Sequence, residues 1–135
     1  MTEIIEYSCF NIKQESKNEL MSLFPPKFPL LVCDHVTHTF GYVPETIPII
    51  KTINIIGEIS SEDIQVLTVE INGSHIRPDG LVYHITYSKS GIHIPDVSSL
   101  SVITELGLGI FGEFVPITDF EYDTRKYIVP CIGMR

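Results

Sequence analysis

Residues 34–41, DHVTHTFG, and residues 81–88, LVYHITYS, are the stretches whose reading decides the fold. Each is an apolar run rich in β-branched and aromatic residues, and such runs form strands. Residues two apart on a strand share a face. His35, Thr37 and Thr39 therefore fall on one face of the first strand, and His84, Thr86 and Ser88 on one face of the second. Val36, His38 and Phe40 take the opposite face of the first, and Tyr83, Ile85 and Tyr87 that of the second. Two strands with the same imidazole-plus-hydroxyl face predict a two-fold site, provided the fold brings the faces together.

Working outward, the neighbours of these strands also read as strands. Residues 64–71, IQVLTVEI, precede the second motif, and the turn signals Asn72-Gly73 and Pro78-Asp79-Gly80 lie between. That spacing predicts an antiparallel pair of strands 64–71 and 81–88. Residues 51–59, KTINIIGEI, form another strand, joined to 64–71 by a polar turn. Residues 4–11 form a first strand, and 30–40 are read as one continuous strand holding the first motif. Leu20, Leu23 and Phe24 at helical spacing predict a helix over 16–24 with Ser16 as its N-cap. Pro25, Pro26 and Pro29 end it. Val97, Leu100, Ile103 and Leu106 predict a second short helix over 96–106. The stretch 41–48 is a proline-bearing connector, and the closing strands 113–117 and 126–132 carry Pro116 and Pro130, which suits sheet edges.

Composition bounds the answer. The 135 residues predict one domain, 1–135, with 44% hydrophobic residues and no Trp. A net charge of −8 argues against a protein that coats long duplex nucleic acid, which needs a basic stripe. It is compatible with a small phosphorylated ligand held by a few donors. Cys9, Cys33 and Cys131 are an odd set without metal or disulfide spacing, as expected of a reducing compartment. Glu3 and Glu6 stand where a signal peptide would be basic, and no apolar run reaches the roughly 18 residues of a membrane helix. A soluble, cytoplasmic protein with no membrane partner is the expectation.

The motif residues suit phosphodiester cleavage. One group must take a proton from the nucleophile and another must give one to the leaving oxygen. Histidines do both near neutral pH, since their ordinary pKa is about 6.5. Hydroxyls two residues on, Thr37 and Thr86, can donate to the non-bridging oxygens as charge builds there. This chemistry needs no cofactor, and no carboxylate cluster has the spacing to hold a metal. The two motifs are near-equivalent, so this reading assigns the acid to neither His35 nor His84.

With its paired H-x-T motifs, HVT at 35–37 and HIT at 84–86, each on an apolar strand in a chain of this size, the sequence resembles the 2H phosphoesterases. Members include RNA-end 2′,3′-cyclic phosphodiesterases and viral enzymes that destroy 2′–5′ or cyclic oligonucleotide signals. The resemblance implies a bilobal α+β fold with few short helices and two antiparallel sheets around a central cleft. It implies catalytic His35 and His84, phosphate-binding Thr37 and Thr86, no metal, and a small nucleotide or RNA-end substrate. The chain departs from the family in carrying little helix between strand 64–71 and the second motif. Arg77 and Lys89 flank the second strand and could meet a phosphate, the alternative being solvated surface charge. Tyr42, Tyr83, Tyr87, Phe10 and Tyr7 are candidate base-stacking rings, Tyr42 foremost, since Tyr83 and Tyr87 point away from His84 toward a core.

Two rival readings stand beside this one: a non-catalytic nucleotide-binding module with the same cleft, and a β-rich interaction domain with incidental histidines. His38 is structural or exposed, and His75 and His93 belong to surface loops. His35 and His38 make a poor metal chelate, because their rings diverge on a strand. Residues 107–112 spell G-x-G-x-x-G but lack a preceding strand and a following helix, so Gly107 reads as a helix terminator. The acidic stretches 62–63 and 119–123 read as solvated faces.

Overall fold

The computed structural model describes residues 2–95 and 97–130. Asp96, Cys131 and Ile132, which the reading above assigns to a helix start, the thiol set and a closing strand, lie outside the described residues. The elements in order are β1 (Thr2–Ile12), α1 (Gln14–Leu23), β2 (Leu30–Leu31), β3 (His35–Phe40), β4 (Ile53–Ser60), β5 (Ile64–Ile71), β6 (His84–Lys89), α2 (Ser98–Leu106), β7 (Ile110–Pro116) and β8 (Phe120–Pro130). The strands form two sheets in an α+β arrangement, one ordered β3-β1-β8 and one ordered β2-β6-β5-β4-β7. Every pairing is antiparallel, including the expected β5–β6 pair. The proline-bearing β7 and β8 are edge strands, as their missing donors require.

β5 is the innermost strand of the larger sheet, and its alternation shows what the sheet separates. Leu67, Val69 and Ile71 enter the main core with Phe10, Ile12, Val36, Ile85 and Tyr87. Ile64 and Val66 face the other way and pack with Val102 and Ile103 of α2. A two-sided strand reads as a continuous apolar run, which is why IQVLTVEI carries so little polar character. Gly57 allows β7 to close on this sheet: a Cβ there would stand 2.3 Å from the Leu108 carbonyl oxygen. Gly107, with φ of 81°, ends α2, in keeping with the sequence.

Three expectations need correction. The stretch 30–40 is two strands in different sheets. Leu30 and Leu31 pair with β6, and the Val32 and Cys33 amides still bond to Tyr87 and Thr86 of β6. The Asp34 carbonyl then accepts from Ile12 of β1, and β3 continues along β1. Cys33, at a φ of 39°, makes the crossing. This crossover brings the two motif strands into contact across the sheets.

Helix α1 starts at Gln14, not after Ser16. Ser16 is buried within it, and its hydroxyl accepts from the Asp119 amide at 2.9 Å, so a long-range contact takes the side chain the N-cap would have used.

The third correction concerns strand alternation itself. In β3, Ser8 pairs with Thr39 and Cys9 with Thr37, so His38 is an extra, bulged residue. In β6, Gln65 pairs with Ser88 and Val66 with Thr86, so Tyr87 is the extra residue. The bulge falls three residues after the histidine in both strands. A bulge inverts the faces beyond it. Thr39 and Ser88 therefore leave the histidine face and become buried, while Phe40 and Lys89 join it.

Candidate active site

His35, Thr37, His84 and Thr86 line one cleft of about 600 Å³. The local cause is the same on both strands. The middle residue of each H-x-T, Val36 or Ile85, is fully buried in the core, which turns the flanking His and Thr to the opposite face. β3 and β6 then present these faces to each other from different sheets. Arg77, Lys89, Asp34, Asp79, Tyr7, Phe40 and Tyr127 also line the cleft, and Ile92, Ile94, Pro95, Val97 and Leu100 give it an apolar wall.

The hydrogen-bond partners fix the working nitrogen of each ring. His35 Nδ1 lies 2.8 Å from Asp34 Oδ2, and His84 Nδ1 lies 2.8 Å from the Val82 carbonyl oxygen. An ionised carboxylate and a carbonyl can only accept, so Nδ1 carries the proton in both. In this tautomer Nε2 is the basic nitrogen of each ring.

Asp34 is itself held. Arg125 Nη1 bonds to Asp34 Oδ2, Nη2 bonds to Asn11 Oδ1, and Asn11 Nδ2 donates to Asp123 Oδ2 at 3.0 Å. Burial pushes the Asp34 carboxyl up, but the hydrogen bonds and charges of Arg125 and His35 outweigh it and leave it below the ordinary value. Burial likewise opposes the Arg125 charge, and the bond to Asp34, together with the Asp34 charge and contributions from Cys9 and Tyr7, outweighs it and raises its pKa. The second wall has its own pair. Arg77 Nε and Nη2 grip the two carboxylate oxygens of Asp79 at 3.1 and 2.6 Å, and this bond lowers the Asp79 pKa despite partial burial.

Thr86 is buried and shares a 2.7 Å hydrogen bond with Ser99 of α2, while Thr37 is half-buried. Lys89 Nζ donates to the Ile94 carbonyl at 3.0 Å. Arg77 is only 6% exposed, so the alternative of solvated surface charge does not hold for it. Tyr42 is half-exposed and does not line the cleft; its carbonyl accepts from the Thr39 hydroxyl. Tyr83, Tyr87 and Phe10 are core residues. Tyr7 faces the cleft, with its ring centroid 6.0 Å from that of His35 and 5.9 Å from that of Phe40.

His38 stacks on Tyr83 and touches the edge of Phe10, a packing role. Burial and the nearby Arg77 charge both lower its pKa. His75 is half-buried and His93 exposed, and neither lines the cleft. Of the acidic stretch 119–123, Asp123 and Asp119 are engaged, the latter accepting from the Glu15 amide, so a merely solvated face is corrected there. Among the described residues no group of three or more His, Cys, Asp or Glu is placed to hold a metal ion. Burial pushes the Cys9 and Cys33 thiols up to about 11, away from thiolate chemistry. Among the described residues no helix is long and apolar enough to cross a membrane.

Sequence reasoning missed Asp34, Arg125, Asn11, Asp123, Phe40 and Tyr127. Asp34 had a signal: a carboxylate immediately before the motif histidine. Phe40 was assigned to the wrong face because the bulge leaves no mark in the sequence. Arg125 reaches His35 only through the pairing of β8 with β1, which no spacing reveals. Compared with known proteins, the chain matches no family model, no curated protein and no solved structure.

Proposed function

We propose that this protein is a metal-independent phosphodiesterase of the 2H type, acting on a small nucleotide or an RNA end. The observation that carries the reading is the convergence of both H-x-T pairs on one cleft, each histidine held through Nδ1. The cleft volume lies in the range of small-molecule sites. One histidine takes a proton from water or a 2′-hydroxyl through Nε2 as the new O–P bond forms. The other gives its Nε2 proton to the leaving oxygen as the old P–O bond breaks. Thr37 and Thr86 donate to the non-bridging oxygens, and Arg77 and Lys89 line the same cleft. The chain's overall charge of −8 favours small or terminal phosphates over a long duplex.

A turnover screen tests this reading. Its substrates are 2′,3′-cyclic mononucleotides, RNA ending in a cyclic phosphate, 2′–5′ oligoadenylate, and cyclic di- and trinucleotides. The variant carrying both His35→Ala and His84→Ala serves as the blank. Cleavage of at least one substrate, insensitive to EDTA and absent from the blank, is the expected result. Binding without cleavage would leave a nucleotide-binding module, and loss of activity in EDTA would point to a metal.

A further inference from the structure

We propose that Arg125 and Asp34 are positioning residues for His35: Arg125 holds the Asp34 carboxylate and balances its charge, and that carboxylate sets the tautomer and orientation of the imidazole. The catalytic meaning of this coupling rests on the phosphodiesterase reading; the coupling itself can be measured without turnover.

The geometry is a chain of contacts from β8 through the residue before β3 to the cleft. Asp34 Oδ2 receives both His35 Nδ1 and Arg125 Nη1. Arg125 is anchored in turn by Asn11 and by Asp123, whose Oδ2 lies 3.5 Å from Nε. Arg125 Nη1 also lies 3.4 Å from His35 Nδ1. Two like donors at that distance repel, and only the carboxylate between them makes the arrangement favourable. Asp34 alone would draw a proton onto His35, because a carboxylate stabilises an adjacent imidazolium. Arg125 offsets that pull with its own charge. The pair thus supplies an acceptor that orients the ring while adding little net charge beside it, and a group meant to gain and lose a proton each cycle needs that balance.

Among the described residues, β1 places Tyr7 beside the His35 ring, and β8 contributes Arg125, Asp123 and Tyr127 to its surroundings. Across the cleft stand His84 and Lys89 on β6 and the Arg77–Asp79 pair in the turn before it. Among the described residues, Asp34 is the carboxylate that bonds directly to the His35 ring.

The test reads the His35 imidazole by nitrogen NMR across a pH titration, with its signal assigned by its loss in His35→Ala. Neutral His35 in the unaltered protein is expected as the Nδ1–H tautomer. Arg125→Gln is expected to raise the titration midpoint by about half a pH unit or more, since the carboxylate is no longer balanced. Asp34→Asn is expected to lower it and to admit the Nε2–H tautomer. Arg125→Lys, which keeps the charge, is expected to keep the midpoint near that of the unaltered protein, and Arg125→Met, which removes it, serves if Arg125→Gln does not fold. A purely structural role would not move the midpoint in opposite directions. Shifts in one direction, unmoved midpoints, or an Nε2–H tautomer in the unaltered protein would overturn the proposal. If these shifts occur in a protein that cleaves no phosphodiester, the enzyme reading fails and the coupling stands. If cleavage depends on His35 but kcat is unchanged in both Asp34→Asn and Arg125→Gln, the positioning role fails and the enzyme reading stands.

Discussion

The β3 and β6 walls of the cleft carry the same motif and the same bulge, yet they are built to different depths. β6 lies inside the five-stranded sheet between β2 and β5, whereas β3 is an edge strand of the three-stranded sheet. The bulged residue of β6, Tyr87, is fully buried and donates its hydroxyl to the Phe24 carbonyl at 2.6 Å. The bulged residue of β3, His38, is half-buried and stacks on Tyr83. The motif hydroxyls differ likewise: Thr86 is buried and tied to Ser99, and Thr37 is half-buried. A single geometry is thus supported by deep packing on one wall. On the other, a side-chain network of Asp34, Arg125, Asn11 and Asp123 takes that role.

The bulged residues give the largest expected contrast. Tyr87→Ala removes a fully buried ring and is expected to destabilise the fold by about 3–5 kcal/mol, whereas His38→Ala is expected to cost about 1 kcal/mol. Denaturant unfolding of both variants measures the gap, and equal losses would erase the distinction between the walls. The hydroxyls come next. Thr86→Val leaves the buried Ser99 hydroxyl without that partner and is expected to cost about 1–3 kcal/mol. Thr37→Val is expected to change stability by less than about 0.5 kcal/mol. Both should slow phosphodiester cleavage, so comparing unfolding with kcat separates the structural from the functional part of each.

The carboxylates give the smallest contrast. Asp34 and Asp79 have lowered pKa values in the folded state. Their contribution to stability is therefore present above the unfolded value near 4 and is lost as the pH falls through the folded value. Asp79→Asn leaves the nearly buried Arg77 charge without its carboxylate and is expected to cost about 1–2 kcal/mol at neutral pH. Asp34→Asn leaves Arg125 with Asn11 and Asp123 and is expected to cost less than about 1 kcal/mol. Each variant should flatten the acid side of the stability profile, and the reverse ranking would contradict the comparison of the walls.

What could be read from the sequence followed from local physics. Val36 and Ile85 between polar neighbours set the strand faces, and Asn72-Gly73 with Pro78-Asp79-Gly80 placed β5 beside β6. The proline-bearing β7 and β8 declared themselves as edges. The bulges at His38 and Tyr87 were not legible, because an extra residue shows only against a partner strand. They misplaced Thr39, Ser88 and Phe40 and left Lys89 without an assigned face. The crossing at Cys33 was hidden for a similar reason: LLVCDHVTHTF reads as one β-prone run, and only the change of partner from β6 to β1 divides it. Arg125 joined the site through β-sheet pairing over a long stretch of chain, beyond the reach of any local pattern.

The most direct test of the two-histidine site is the turnover of His35→Ala, His84→Ala and the variant carrying both, measured on the best substrate of the screen. If both rings serve one proton-transfer step, each single substitution should lower kcat by about 10²–10⁴-fold, and the double should lose little more than the worse single. Activity near that of the unaltered protein after either single substitution, with the fold intact, would contradict a cleft in which both histidines act on one phosphodiester.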